Sequence, residues 1–587
     1  MKFSVVADTF ARIEKISGRL EISRELAGVF EHATPAEAQS IAYMCLGYVR
    51  PPYEGTQFNV AEKTIMTMMQ DLFGLPKSEV NALVDTCGDV ASAFTRKASC
   101  QDTQKTVHEV YQSLLKIEAI EGTGSQQIRC EELYKLVCSV SHVEAEYITR
   151  IVLGTLRLGF SDMTLLDAWS MMLAGDKSLR AQLEYAYNVC VDIGRIARVV
   201  KESGAAGLEH IGIEVGIPIR PAAAERLDSA AAIIEKIGSC CAQPKIDGFR
   251  LQVHLDFSGH TKKYRFFSRN LIDMSGLFPD LVAELKSLPV KNIILEGEAI
   301  AYDESSGEFL PFQETVKRKR KHGVEEFAQE LPIKLFIFDC MYYNGESLLD
   351  KTQQERRNVL MGLTKKENQE LTPHVELIEE RCFSSAAPME TYFWDLIGKG
   401  FEGLVVKKTD SRYQPGKRNF NWIKLKRQDT GSLSDTIDCV ILGYYAGRGK
   451  RAKLGIGAFL VGVYNSTNDT FETIAKIGTG MTDEQWLEVK ILCDRSAVVS
   501  QPSRVVCAKA LYPDIWVEPT YVCAVRADNI TRSPLHTAGK TADDLGYALR
   551  FPRFMSYRPD KNPQDATTTK EIADMYKRSS SLVEKEK

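Results

Sequence analysis

The stretch "QPKIDGFR" (243–250) decides how this chain is read. An apolar, strand-like run ends on Lys245, which stands two residues before an Asp-Gly pair and five before Arg250. Asp-Gly is among the commonest two-residue turns, so the plainest expectation is a surface hairpin carrying solvated cations. Lys-x-Asp-Gly alone arises by chance in roughly one chain in ten of this length. The decision rests on what surrounds it.

Five further charged clusters follow, each attached to an apolar run. "SRN" (268–270) follows "YRFF", and "LEGEAIAYD" (295–303) sets Glu296 and Glu298 on one face of a strand. "FIFDCMYYNGESL" carries Phe338 beside an Asp, and "EGLVVKK" places Glu402 and Lys407 around an aliphatic core. "NWIKLKRQ" (421–428) alternates Trp422, Lys424 and Lys426 against Ile423 and Leu425. Each has a bland reading: a charge-guarded edge strand for Lys424 and Lys426, solvated carboxylates for Glu296 and Glu298, plain core and an Asn-Gly turn around Phe338. Their order within one segment is what independent surface accidents do not explain. Strands sending cations to one side and aliphatics to the other imply a basic groove backed by a core.

With 587 residues the chain is too long for one core. A composition 44% hydrophobic and 26% charged excludes a wholly disordered chain, and a net charge of −4 means that any polyanion surface is a local patch. The opening "MKFSVVADTFARIEKISG" is expected not to be a signal peptide, and no run is long and apolar enough for a membrane span. Fourteen scattered cysteines without a C-x-x-C pair suit free thiols in a reducing cytoplasm, and neither they nor the nine histidines suggest zinc. No G-x-x-x-x-G-K-[ST] occurs, which excludes a P-loop NTPase.

The periodicity divides the chain in three. Residues 1–218 read as helical, with Phe10, Ile13, Ile16 and Leu20 at helix-like spacing, and "VGIPIRPAAAERL" (215–227) marks the boundary. Residues 219–428 alternate short strands with helices, an α+β pattern. Residues 429–587 read as a partly open, five-stranded oligonucleotide-binding (OB) barrel interrupted by the helix "TDEQWLEVKILCDR" and ending in a frayed tail. "KRKRK" (317–321) reads as a solvated run or a phosphate contact, and Phe551 and Phe554 in "RFPRFMSYRPDK" (550–561) as core among cations.

Taken jointly, the six clusters resemble the nucleotidyltransferase motifs of ATP-dependent DNA ligases of the archaeal and eukaryotic replicative type. "GYVRPPYEGTQFNVAEKTI" resembles that family's helical DNA-binding domain, and "ALRFPRFMSYRPDKNPQDATTTKEIADMY" the end of its OB barrel. The resemblance implies a multidomain chain: an all-α DNA-binding domain (1–218), an α+β adenylation domain (219–428) and a β-barrel OB domain (429–587). It implies that Lys245 attacks ATP to become lysyl-AMP, that AMP passes to the 5′-phosphate of a nick, and that the 3′-hydroxyl then displaces AMP. A lysine amine must be neutral to attack phosphorus, and the expectation is that Arg250, Lys424 and Lys426 crowd Lys245 and repel its proton, then steady the transferred phosphate.

By the same resemblance Arg250 and Arg269 hold the ribose and phosphate of AMP, Glu298 and Glu402 touch the ribose or organise Mg²⁺, and Phe338 stacks on adenine. Arg418 and Lys424 reach the phosphates, with Lys407 and Lys426 close by. Gln243 stands where eukaryotic relatives carry a glutamate that accepts the adenine amino group; its amide oxygen can do so, while its NH₂ can donate, so ADP or GTP enter as minor donors. The implied partners are ATP, Mg²⁺, nicked duplex DNA and a sliding clamp, for a monomer in the cytoplasm without membrane association. Binding through phosphates implies strong salt dependence and little base specificity. The nearest rival is an RNA ligase or capping-type nucleotidyltransferase, against which the helical N-terminal segment speaks. The absence of a four-cysteine zinc pattern disfavours a nicotinamide-dependent ligase, and the intact charged set disfavours a non-catalytic DNA-binding protein.

Overall fold

The computed structural model describes the chain except residues 17, 56–57, 157, 304–308, 311–314, 316–317, 319–327, 329, 365–369, 427–435, 448, 528, 542–543 and 585–587. It forms two compact units, Met1–Leu396 with Gly400–Leu425 and Ile397–Lys399 with Lys426–Lys587.

Helix formation in the first 208 residues follows from apolar faces closed by local caps. Thr34 with Glu37, Thr106 with Glu109 and Ser141 with Glu144 each form a reciprocal capping box at a helix start. Phe10 and Ile13 are buried in helix Phe3–Ile13, but Leu20 is exposed on a second helix, Arg19–His32, whose N-cap is Gly18. The 3.6-residue spacing of Phe10, Ile13, Ile16 and Leu20 therefore spans a break and describes no single face. Helix Ile193–Leu208 packs on Pro35–Met44 through Gly194, where a Cβ would lie 2.3 Å from the Tyr43 ring. Tyr43 and Tyr53 both donate to the Asp192 carboxylate, at 2.6 and 3.1 Å.

The boundary segment 215–227 is stitched to the sheet that follows. Ile219 exchanges two hydrogen bonds with the Gln252 side chain, its N–H donating at 2.8 Å and its carbonyl accepting at 2.9 Å. Gly216 N–H donates to His254 Nδ1 at 3.0 Å, and His254 Nε2 faces Gln252 Oε1 at 2.8 Å, so the neutral Nε2–H tautomer satisfies both. Burial, reinforced by Arg265, pushes His254 down to about 3. Because the folded value lies below the unfolded value of about 6.5, the unfolded chain binds the proton first, and stability falls as pH drops from about 6.5 toward 3. Between pH 7 and 5 this histidine costs about 2 kcal/mol. Denaturant midpoints at the two pH values check this, and His254→Gln flattens the dependence.

Twelve strands, among the described residues, build two sheets between 223 and 426: β1 (Ala223–Arg226), β2 (Cys240–Lys245), β3 (Phe249–Asp256), β4 (Lys263–Ser268), β5 (Asn292–Ala301), β6 (Ile333–Tyr343), β7 (Glu346–Ser347), β8 (Glu370–Thr372), β9 (Val375–Leu377), β10 (Arg381–Phe383), β11 (Gly403–Lys408) and β12 (Arg418–Lys426). One sheet has the order β1-β12-β11-β2-β10, the other β4-β3-β5-β6-β9-β8 with β7 on β6. Strands β2 and β3 thus lie in different sheets, and the Asp-Gly pair between them is a crossover, not the turn of a hairpin. Gly248 makes the crossover possible, since a Cβ there would lie 2.4 Å from the Ala299 carbonyl oxygen. The Asn344-Gly345 pair is the hairpin turn that the plain reading expects: both residues have positive φ, and β6 pairs with β7 across them.

Twelve cysteines are free thiols as expected, but Cys241 and Cys382 form a disulfide, because the β2–β10 register sets them directly opposite. Of "KRKRK", only Arg318 lies within the described residues; it is buried, ion-paired to Asp280 at 2.6 Å.

The second unit is β-rich and OB-like. Among the described residues its main sheet has eight strands where five are expected, and the excess is three of only two or three residues: Ala497–Val498, Val505–Val506 and Ile515–Val517. The interrupting helix is Asp483–Arg495, capped by Thr482 with Gln485, and its Trp486 is buried against Phe459. Phe554 is core, but Phe551 is exposed at positive φ in the connection before strand Arg553–Tyr557. Arg558 and Lys561 both pair with Asp438, at 3.1 and 2.6 Å. As far as Glu584 the expected frayed tail is instead part of helix Thr569–Glu584, and residues 585–587 lie outside the described residues. No helix among the described residues is long and apolar enough to cross a membrane.

Candidate active site

Lys245 ends β2, and the pairing of β2 with β11 chooses its neighbour. Glu402 N–H donates to the Lys245 carbonyl at 3.0 Å, and Gly403 stands opposite Lys245 in the ladder. The Glu402 carboxylate thereby reaches Lys245 Nζ at 2.5 Å, with both side chains about a quarter exposed (22% and 25%). The amine's ion-pair partner is thus a carboxylate, which the sequence reading did not name as a neighbour of the amine. The sheet order gives the reason: β11 is the strand next to β2, and β12, which carries Lys424 and Lys426, lies beyond it, its backbone two strand spacings or roughly 10 Å from β2.

Beyond the crossover, Arg250 opens the site side of β3, opposite Glu298 of β5. One guanidinium nitrogen donates to both oxygens of Glu296, at 3.0 and 2.8 Å, and another to the Ala222 carbonyl at 2.9 Å. Its buried Nε has no acceptor among the described residues. Glu296 is wholly buried and also accepts from the Tyr413 hydroxyl at 2.9 Å, so it is an internal anchor for Arg250 and not a solvated group. Glu298 differs: its carboxyl stands raised to about 7, chiefly by burial, with Lys245 and Arg250 opposing and Asp247 and Glu402 adding to the rise. Three carboxylates and two cations therefore act on one another around the crossover.

An aromatic wall closes the site. The Arg250 guanidinium lies 5.4 Å from the Phe338 ring centroid and 5.5 Å from that of Trp422, and the two rings meet edge-to-face at 6.1 Å. Lys407 is buried beneath them, 4.3 Å from the Trp422 centroid, its Nζ donating to the Phe338 carbonyl at 2.8 Å and to Asp339 at 3.3 Å. Burial pushes the Lys407 ammonium down, with Asp339 opposing. Phe338 itself stays partly open.

Gln243, two residues before Lys245 on the same face of β2, is buried. Its Nε2 donates to Glu380 at 2.7 Å and faces the Phe338 carbonyl at 3.5 Å. A carboxylate accepts only, so Glu380 fixes which end of the amide is nitrogen. Gln243 Oε1 has no hydrogen-bond partner among the described residues. Arg269, just past β4, and Arg418, at the start of β12, are exposed and make no ion pair among the described residues. Lys424 and Lys426 are half-buried on β12. Asp247 and Asp339 lie inside the charged clusters without having been given a role there, whereas Tyr413 and Glu380 stand in no cluster; Glu380, in "LIEERCF", arrives only through the β2–β10 pairing.

The family described as ATP dependent DNA ligase domain matches residues 221–426, with DNA ligase N terminus on 2–170 and ATP dependent DNA ligase C terminal region on 452–561. A "Probable DNA ligase" of Dictyoglomus turgidum is 42% identical over 580 residues, covering 98% of each chain. "DNA ligase 2" of Thermofilum pendens is 37% identical, covering 98% of this chain and 97% of its own. Among solved structures, one named Pmar-Lig_PreS3 is 17% identical, covers 94% of this chain and 99% of that one, and superposes with a TM-score of 0.55, a likeness of fold.

Proposed function

The chain belongs to the ATP-dependent DNA ligases, which seal nicks through a nucleotidyl-transfer mechanism using ATP and Mg²⁺, and from that premise we propose which of its residues carry each step. The observation that carries the reading is the placement of Lys245 Nζ beside Glu402, in one electrostatic cluster with Glu298, Asp247 and Arg250, at the crossover between two sheets.

Lys245 Nζ attacks the α-phosphorus of ATP; the N–P bond forms as the bond to the bridging oxygen breaks, and pyrophosphate leaves. The 5′-phosphate at the nick then takes AMP from Lys245, and the 3′-hydroxyl displaces AMP to form the phosphodiester. Glu402, in contact with the amine, is the group placed to receive its proton. Phe338 stacks on the base, and Arg250 Nε, which lacks an acceptor among the described residues, takes a ribose or phosphate oxygen. Lys407 acts from below by holding Phe338 and Asp339. Arg269, Arg418, Lys424 and Lys426 are the proposed phosphate contacts.

Mutual repulsion among Glu298, Glu402 and Asp247 is what a divalent cation relieves, and hard carboxylate oxygens suit Mg²⁺. Glu298 and Glu402 are the residues proposed to hold it, and a cation held there would supply neutralisation of the phosphate charge. The boundaries 1–218, 219–428 and 429–587, a monomeric working state and recruitment by a sliding clamp complete the reading, the last two from the resemblance alone.

Gln243 sharpens the nucleotide preference. With Nε2 committed to Glu380, only the amide oxygen faces the base, and an oxygen accepts from the adenine amino group but not from the guanine carbonyl. Incubation with α-labelled ATP leaves acid-labile label on the chain, which nicked DNA, and not nicked RNA, discharges as free AMP while the nick is sealed. GTP labels at least about 100-fold more slowly, since an acceptor facing an acceptor leaves both unpaired. Equal labelling by GTP, or sealing of RNA alone, overturns the respective assignment.

A further inference from the structure

Cys241, Gln243 and Lys245 occupy alternate positions of β2 and therefore share one face. Cys382 lies opposite Cys241 on β10, the three-residue strand at the edge of its sheet, and the two sulfurs are bonded. Cys241 is buried while Cys382 is exposed, so an attacking thiolate in solvent has access to one sulfur of the pair. Glu380, two residues before Cys382, has a carboxylate oxygen within 4.8 Å of both sulfurs. That carboxylate is the acceptor that orients Gln243, at 2.7 Å, with Arg357 3.7 Å from its other oxygen. Disulfide, carboxylate, amide and nucleophile thus form one contiguous row.

The geometry points to Cys241–Cys382 as a thiol–disulfide switch that sets nucleotide affinity through Glu380 and Gln243. This rests on the assignment of Gln243 to the adenine pocket. A disulfide offers Glu380 no proton donor, so the carboxylate stays committed to Gln243 Nε2 and the amide oxygen stays turned toward the base. Reduction is a two-electron exchange with a small-molecule thiol such as glutathione. One thiolate attacks Cys382 Sγ, forming a mixed disulfide and releasing the Cys241 thiolate, which takes a proton. A second thiolate then attacks the mixed disulfide, releasing the Cys382 thiol and oxidised glutathione. The product carries two S–H donors beside Glu380, which compete with Gln243 for it. It also leaves β10 held by its short ladder and by contacts of Arg381 and Phe383 with Tyr392. The amide then loses its fixed orientation, and with it the selectivity for adenine.

The test uses the full wild-type chain equilibrated with oxidised or with reduced glutathione. Alkylation in denaturant followed by mass spectrometry modifies twelve cysteines of the oxidised form and fourteen of the reduced form. Adenylylation followed over a range of ATP concentrations gives a KM about tenfold higher for the reduced form with kcat little changed, the size expected for one charge-assisted hydrogen bond. The preference for ATP over GTP narrows in parallel, which loosening of a merely structural bond does not produce. Cys382→Ser shows the reduced behaviour under both conditions, and the wild-type comparison stands without it. Fourteen modified cysteines after oxidation, or one KM and one nucleotide preference in both states, overturns the switch while label on Lys245 leaves the site assignment intact. Absence of label on Lys245 in either state removes the assignment and the switch together.

Discussion

Lys245→Ala retains no labelled AMP after denaturation, a fall of at least about 10⁴-fold in adenylylation, since no other group replaces an attacking amine. The same variant still joins a nick whose 5′-phosphate already carries AMP, because the last step needs the 3′-hydroxyl and the positioned phosphates but no lysyl intermediate. Lys245→Arg also fails in the first step, a guanidinium being protonated throughout the working range. The contrast between ATP-dependent sealing and sealing of pre-adenylylated DNA separates loss of the nucleophile from loss of the fold. Normal ATP-dependent joining by Lys245→Ala would falsify the assignment. Glu402→Gln removes in the same assay both the proposed proton acceptor and a charge proposed to hold Mg²⁺: the 2.5 Å contact persists as a hydrogen bond, but the receiving charge is gone, and adenylylation slows by about 100-fold.

The strands around this site were legible because each is short, apolar and bounded by turn residues; "YRFF", "LEGEAIAYD" and "EGLVVKK" fall in β4, β5 and β11. The clusters at Lys245, Glu298, Phe338 and Glu402 announced the site because the strands that carry them meet at the crossover, while Arg269 stays exposed beyond β4. The partner of Lys245 was not legible. Choosing between Glu402 and the lysines of β12 requires knowing that β11 and not β12 pairs with β2, and strand order is a long-range property. Glu380 escaped for the same reason, and so did the disulfide, whose cysteines are 141 residues apart in sequence. Alternation alone could not separate Glu296 from Glu298. They sit two apart on one strand, yet one is fully buried against Arg250 and Tyr413, while the other joins the charges at the crossover.

Asp339 links the stability of the first unit to the aromatic wall. Arg356 grips its carboxylate with two hydrogen bonds, at 2.7 and 3.1 Å, Lys407 adds a third at 3.3 Å, and Cys340 N–H a fourth at 2.9 Å. All three charged side chains are buried. Burial alone would raise the Asp339 carboxyl, but Arg356 and then Lys407 outweigh it and hold it down to about 2. With the folded value below the unfolded value of about 3.9, this group's stabilisation is complete above pH 3.9 and is lost as pH falls through 2, about 2.5 kcal/mol in all. Asp339→Asn keeps the shape but leaves two buried cations without their counter-charge, which costs about 3–5 kcal/mol at neutral pH. Because Lys407 also holds the Phe338 carbonyl, the variant that still folds binds ATP more weakly. Denaturant midpoints measure the first effect and the KM for ATP the second. Asp339→Leu combined with Arg356→Met and Lys407→Met removes the stranded charges and recovers much of the midpoint while leaving the KM high. A midpoint for Asp339→Asn within about 0.5 kcal/mol of the parent, the range of ordinary surface substitutions, would mean that the network does not hold the wall in place.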